Sequence, residues 1–220
     1  MEPSSPIRIV IVEDEGFLRD LIRGALTGIE GLEVIATYGD AATAAAKIPA
    51  LAPDVALLDI DLGQGGNGVQ LGLAMRRKLP HLGIVLLSNH RDPSYLMAVP
   101  PNEVVGWSYL HKKSMSDTTT LLRAIRGSAA GYVMLDPVIA AGLKGSKGGL
   151  NQLSERSLAL LKLLAQGYSN AAIASQLSLA EKTVENQLNA LYKQLDIDTS
   201  DSNSHSRVQA TLTYLRALSV

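Results

Sequence analysis

Three apolar runs constrain the fold of this chain more than any other feature: IRIVIV from Ile7, VALLD from Val55 and GIVLLS from Gly83. Each is too short for a stable helix and almost unbroken in apolar character, the pattern of a strand buried on both faces. With Leu32–Thr37 and Trp107–His111 they give five predicted strands. Between and after them lie stretches of helical periodicity at about Phe17–Thr27, Asp40–Ile48, Val69–Leu79, Pro93–Val99 and Asp117–Ser128. Strand–helix alternation of this kind builds a parallel sheet with helices on both faces.

Past Ser128 the pattern changes. A glycine-rich stretch ending in KGSKGG reads as a linker. Only helical patterns follow, at Glu155–Gln166, Asn170–Leu177, Ala180–Leu195 and Arg207–Leu218. The expectation is an α/β domain over 1–128 with a five-stranded parallel sheet of order 2-1-3-4-5, a linker over 129–150, and a small all-α domain over 151–220.

The chain has 46% hydrophobic and 19% charged residues, a globular balance that excludes wholesale disorder. It has no cysteine, so disulfides, thiolate metal sites and cysteine nucleophiles are excluded. The start, MEPSSPIRIVIVEDE, lacks a basic n-region, and no apolar run approaches the ~18 residues that span a bilayer. A soluble, cytoplasmic protein with no membrane partner is expected. The formal charge of −1 hides an uneven distribution. Residues 1–140 carry 12 basic and 15 acidic side chains, 141–149 two lysines, and 150–220 six of each sign.

The acids of the first domain sit where such a sheet gathers its ligands. Glu13 and Asp14 follow the first strand, Asp59 ends the third and Ser88 ends the fourth. Open parallel sheets bind beyond the carboxyl ends of their strands, at the switch in strand order, here between strands one and three. Converging carboxylates repel, and a hard cation such as Mg2+ relieves that repulsion while keeping them ionised. Asp14 and Asp59 are the expected direct ligands, with the Asp61 carbonyl a third and Glu13 acting through water. Asp59 is then placed to attack a phosphoryl group. Lys112 pairs with the phosphoryl charge, and the Ser88 hydroxyl donates to it. Lys113 competes with Lys112 for that role, and the bland alternatives are a strand-end Asp59, helix-start acids at Glu13 and Asp14, and a strand-end Ser88.

IVED, LLDIDL, VLLS and YLHK, in this order at the ends of strands, resemble the landmarks of the receiver domain of two-component response regulators. The resemblance covers residues 7 to about 128. It implies phosphotransfer from a sensor histidine kinase to Asp59, with Tyr109 as an aromatic switch; a packed core aromatic is the competing role. Three departures stand out. Glu13 replaces the usual first aspartate. Gly63 stands where proline is common, in a loop GQGGNG one residue longer than usual. The stretch SNHRDPSYLMAVPPNEVVGW is unlike the usual fourth helix.

In the second domain a two-helix pattern is read from Ser169, which caps one helix, and from Ser178-x-x-Glu181, a capping box opening the next. Ala171, Ile173, Ala174 and Leu177 are expected to face inward, as are Val184, Leu188, Leu191 and Leu195. Lys182, Asn186, Asn189 and Lys193 form a separate polar stripe. Lysine and asparagine suit the major groove of double-stranded DNA; a solvated face is the plain alternative. YSNAAIASQL and SLAEKTVENQL resemble the LuxR-type helix–turn–helix, in the NarL/FixJ arrangement of receiver, linker and DNA-binding domain. Thr183 matches that pattern. Glu185 stands where the family commonly has lysine and Gln187 where it has histidine. Glu185 repels phosphate yet is able to accept from a cytosine amino group. The last helix, with Val208, Thr211, Leu212 and Leu215 on one side, is the family's dimer contact and equally a packing element within the domain.

The expected function is a phosphorylation-gated, DNA-binding transcription regulator, dimeric when active, and not an enzyme. One alternative is an atypical receiver regulator that works without phosphorylation. Another is a phosphatase with Asp59-Ile-Asp61 as a DxD nucleophile motif, although that motif belongs after a first strand and here follows the third.

Overall fold

The computed structural model describes residues 5–63, 66–90, 99–100, 103–136, 150, 153–197 and 206–218. β1 (Ile7–Val12), β2 (Leu32–Tyr38), β3 (Val55–Asp59), β4 (Gly83–Ser88) and β5 (Trp107–His111) occupy the expected runs to within one residue. α1 (Gly16–Leu26), α2 (Ala41–Leu51), α3 (Gly68–Lys78) and α4 (Thr118–Ala129) fall between and after them. The helix expected at Pro93–Val99 lies outside the described residues except for Val99.

All strand pairs are parallel, and the sheet order is β2-β1-β3-β4-β5-β6. The sixth strand corrects the expected five. β6 (Met134–Leu135) lies inside the stretch read as linker and pairs with β5 through Ser108↔Met134 and Tyr109↔Leu135. Of that linker, residues 137–149 lie outside the described residues.

The uniformly apolar strands become the middle layer because both faces are covered. One face packs against α2 and α3 through Ala44, Ile48, Val69 and Met75. The other packs against α1 and α4 through Ile22, Leu26, Leu121 and Ile125. Asp40, Asn67 and Asp117 start α2, α3 and α4, each accepting from backbone N–H groups of the first turn.

The second domain contains α5 (Glu155–Ala165), α6 (Asn170–Leu177), α7 (Glu181–Gln194) and α8 (Ser206–Leu218). Their core is built from Leu160, Leu161, Leu164, Ile173, Ala174, Val184, Leu188 and Leu191, with Tyr214 from α8. Ser169 caps α6 by accepting from Ala172 N, as expected. The capping box does not form. Ser178 is the left-handed C-cap of α6 (φ 53°), and α7 begins after Ala180 with no side-chain cap. Ser178 closes the helix before the turn and cannot open the one after it. Ala171 is exposed rather than inward, since Ile173 and Ala174 alone face the core in that turn.

The two domains share a packed contact. Val208 and Leu212 of α8 belong to the same buried cluster as Val133 and Leu135 of the first domain. Gly167, in the α5–α6 turn with φ +77°, comes so close to Met134 that a Cβ there would meet its Cγ at 2.6 Å. Arg207 stacks over the Tyr132 ring at 4.7 Å, and Arg123 over the Tyr168 ring at 4.2 Å. Among the described residues no helix is long and apolar enough to cross a membrane.

Candidate functional site

Residues distant in sequence meet at the carboxyl ends of β1, β3 and β5. Glu13 leaves β1 with its side chain wholly buried, and Asp59 ends β3 at 2% exposure. Lys112, one residue past β5, inserts its ammonium between them. Its Nζ lies 2.9 Å from Asp59 Oδ2 and donates to Glu13 Oε1 at 3.1 Å. Glu13 Oε2 is buried with no hydrogen bond, only an ionic contact to the same Nζ at 3.0 Å.

Asp14 is exposed at the rim, yet one carboxylate oxygen from each of Glu13, Asp14 and Asp59 falls within 4.8 Å of the others. Three carboxylates against one ammonium leave an excess of two negative charges when all are ionised. A divalent cation matches that excess, and the all-oxygen donor set is the one Mg2+ prefers.

Burial dominates the electrostatics. It pushes the Glu13 carboxyl up to about 7, against the opposing pull of Lys112. Asp59 is also raised by burial, with Lys112 again opposing. For Lys112 burial alone would favour the neutral amine. Its hydrogen bonds and charge contacts with Asp59 and Glu13 outweigh that, and its pKa is raised.

The remaining residues singled out in the first domain surround this centre. Asp61 turns its backbone N–H to Asp59 Oδ1 at 3.3 Å, while its exposed side chain lies 3.6 Å from His90 Nε2. A carboxylate turned away from Asp59 does not serve as the second acid of a DxD phosphatase. Ser88 is buried, and its Oγ accepts from the His90 backbone N–H at 2.9 Å. Tyr109 is buried within the sheet layer, and its hydroxyl donates to the His90 carbonyl at 2.8 Å. Lys113 donates its backbone N–H to His111 Nδ1.

The unusual loop after Asp59 is closed at its base. Asp61 and Asn67 form an isolated antiparallel bridge, and Leu62 N–H bonds to the Gly66 carbonyl. Gly68 then brings α3 against the site. A Cβ there would lie 2.1 Å from the Asp59 carbonyl oxygen, so only glycine fits.

Three partners escaped the sequence reading. Arg19 reaches back from α1 and donates to the Glu13 carbonyl at 2.6 Å, tying down the loop that carries both acids. His90 links Ser88, Tyr109 and Asp61. Buried Asp136, just past β6, accepts from the His111 N–H at 2.9 Å and donates its own N–H to the Tyr109 carbonyl. None of these sits in a short motif; Arg19 on the turn after two acids was the one available cue.

In the second domain, Lys182, Asn186, Asn189 and Lys193 are exposed along α7, opposite Val184, Leu188 and Leu191. Thr183 is half-buried. Glu185 is partly exposed, and its Oε2 accepts from Lys182 Nζ at 2.7 Å.

Comparison with known proteins agrees with this architecture. Residues 9–126 match the response regulator receiver domain, and residues 151–213 match the luxR family of bacterial regulatory proteins. The nitrate/nitrite response regulator protein NarP of Escherichia coli is 32% identical over 222 residues, covering 98% of each chain. The transcriptional activator DevR/DosR of Mycobacterium tuberculosis is 30% identical, covering 87% of this chain and 89% of its own. A solved structure of two RcsB dimers bound to two parallel DNAs shares the fold, with TM-score 0.55 and 23% identity over 97% of this chain and 99% of that one. Receiver domains bind Mg2+ at an acidic site of the kind formed by Glu13, Asp14 and Asp59. The chain therefore belongs to the response regulators that join a receiver domain to a LuxR-type helix–turn–helix, and is a DNA-binding transcriptional regulator rather than an enzyme.

Proposed function

We propose that this regulator is gated by phosphorylation of Asp59 by a sensor histidine kinase. The observation that carries the reading is the Asp59–Lys112 contact of 2.9 Å at the floor of an acidic pocket. An Asp59 carboxylate oxygen attacks the phosphorus of the kinase phosphohistidine. The phosphorus–nitrogen bond breaks, and the imidazole retains the electron pair and takes up a proton. Lys112 moves its ammonium from the carboxylate to the new phosphoryl oxygens, a charge-assisted contact. Ser88 Oγ, already accepting from His90 N–H, has its own proton free to donate to the phosphoryl group. Glu13, Asp14 and Asp59 would hold Mg2+, with the Asp61 carbonyl as a further ligand. The ion would supply neutralisation of the charge gathering on the phosphoryl oxygens.

Phe17 and Leu21, one turn apart on α1, are 78% and 57% exposed and follow the loop carrying Glu13 and Asp14. An apolar pair beside the pocket suits a docked kinase helix. A cytoplasmic location follows from that partnership and from DNA as target.

The output side is held by the interdomain contact. Val208 and Leu212 of α8 are covered by the first domain, so the same face is closed to a second copy of the chain. Tyr109 ties the site to that contact, because its neighbours Ser108 and Leu110 flank it on β5, β5 pairs with β6, and β6 packs on Gly167. Phosphorylation releases the contact, and the active form is a homodimer on double-stranded DNA. The face of α7 with Lys182, Thr183, Glu185, Asn186, Asn189 and Lys193 meets the major groove.

Incubation with Mg2+ and acetyl phosphate, followed by intact mass, tests the acceptor. One phosphoryl adduct, absent in Asp59→Asn, is expected. No adduct from small donors or from any sensor kinase would select the regulator that works without phosphorylation.

A further inference from the structure

The outward face of α7 is unusual in its chemistry. Lys182 and Lys193 offer donors, Asn186 and Asn189 offer amides, and Glu185 offers an acceptor-only carboxylate, with Glu181 exposed one turn earlier at the helix start. Thr183 lies half-buried at the edge of that face, and Gln187 has a buried, unpartnered Oε1. Lys182 and Glu185 are not independent. Their side chains, 79% and 40% exposed, form an ion pair of 2.7 Å one helical turn apart.

A carboxylate brought to DNA is repelled by every phosphate, so it gains nothing from the backbone. The groups that donate to it in the major groove are base amino groups. Adenine N6 sits beside the N7 acceptor, which repels a carboxylate and favours the donor–acceptor amide of asparagine or glutamine. Cytosine N4 has no acceptor beside it on its own base. Across the pair, guanine presents O6 and N7, which suit a lysine. The N4 donor and O6 acceptor are themselves hydrogen-bonded partners, separated by about 2.9 Å as N–H···O contacts are. The Lys182–Glu185 pair presents the complementary order, donor beside acceptor, at 2.7 Å.

We infer that Lys182 and Glu185 act as one unit that reads a C·G base pair, Glu185 accepting from cytosine N4 and Lys182 donating to guanine O6 or N7. The inference rests on the reading of α7 as the groove-facing helix and names what it recognises. It also accounts for a DNA-binding segment, residues 150–220, with six basic and six acidic side chains. Where bulk charge provides no attraction, discrimination has to come from contacts with the bases.

Site selection from random double-stranded DNA by the full chain, with Mg2+ and acetyl phosphate, tests it. Wild type is expected to select a C·G pair at one fixed position. Glu185→Ala and Lys182→Ala each relax that position alone, lowering discrimination there by about tenfold, within the range of one base contact. Glu185→Gln shifts the same position towards A·T, because an amide matches adenine N6 and N7.

An unchanged selected sequence with Glu185→Ala, accompanied by a uniform gain in affinity and a steeper salt dependence, would show Glu185 to be only a repelling anion and overturn the inference. Asn189→Ala and Lys193→Ala separate that failure from a deeper one. If they weaken binding while Glu185→Ala leaves the sequence untouched, α7 faces DNA and only the C·G assignment fails. If they also leave affinity and sequence unchanged, the α7 reading fails and the inference with it.

Discussion

Lys112 places a single positive charge between two buried carboxylates, and Glu13 is the one that burial leaves closest to neutrality. With its pKa raised to about 7 from 4.5, Glu13 binds a proton more tightly in the folded chain than in the unfolded one. Its contribution to stability is therefore fully present below about 4.5 and is lost as pH rises through about 7, the reverse of an ordinary ion-paired acid. In the metal-free protein the midpoint of thermal unfolding should fall across that window, and Glu13→Gln should flatten the fall. Mg2+ competes with the same proton. Its affinity, measured by calorimetry, should weaken by about tenfold per pH unit below about 7 in wild type and should show little such dependence in Glu13→Gln. Equal pH dependence in the two proteins would contradict the assignment of Glu13. The acidic letters of this site were readable in the sequence because each ends a recognisable strand. Arg19, His90 and Asp136 were not, since their roles exist only once α1, β4 and β6 are folded against the site.

Elements with strong periodicity were legible nearly to the residue. β1, β3 and β4 are nearly continuous apolar runs, and burial on both faces is what such runs require. β6 was not legible. Its two residues carry no pattern of their own, and their pairing is determined by the free edge of β5. α7 starts within one residue of the expected Ala180, but the capping box fails for a local reason: Ser178 has capping chemistry but takes the left-handed position that ends α6. At the start of α3 the element and the site constrain one another. Gly68→Ala would drive a methyl group into the Asp59 carbonyl. We expect a loss of about 1–3 kcal/mol in chemical denaturation, as for other overpacked sites. The same variant should accept phosphoryl groups more slowly than wild type, because relief of the clash displaces Asp59. Full stability in Gly68→Ala would show that α3 is free to move away from β3.

At the scale of the whole molecule, the two domains hold one another through a small set of contacts. Tyr132 is the receiver residue that faces Arg207, whose guanidinium also donates to the Tyr168 carbonyl and to Asn170 Oδ1. Burial lowers the Arg207 pKa, and Tyr192 and Tyr132 oppose that shift. Removing the ring should loosen the contact without touching Asp59 or α7. Tyr132→Ala is expected to raise DNA affinity of the unphosphorylated chain by about fivefold, the order of one cation–π contact. An unchanged affinity would mean that Arg207 does not restrain the output domain.

The central claim is that phosphoryl charge on Asp59 releases the face of α8 held by Val133 and Leu135. It is tested most directly on one sample, by measuring operator affinity and sedimentation before and after treatment with Mg2+ and acetyl phosphate. The account predicts a monomer that becomes a dimer and binds DNA more tightly after treatment, with neither change in Asp59→Asn. Equal affinity and equal mass in wild type and Asp59→Asn, with the phosphoryl adduct present on wild type, would contradict it.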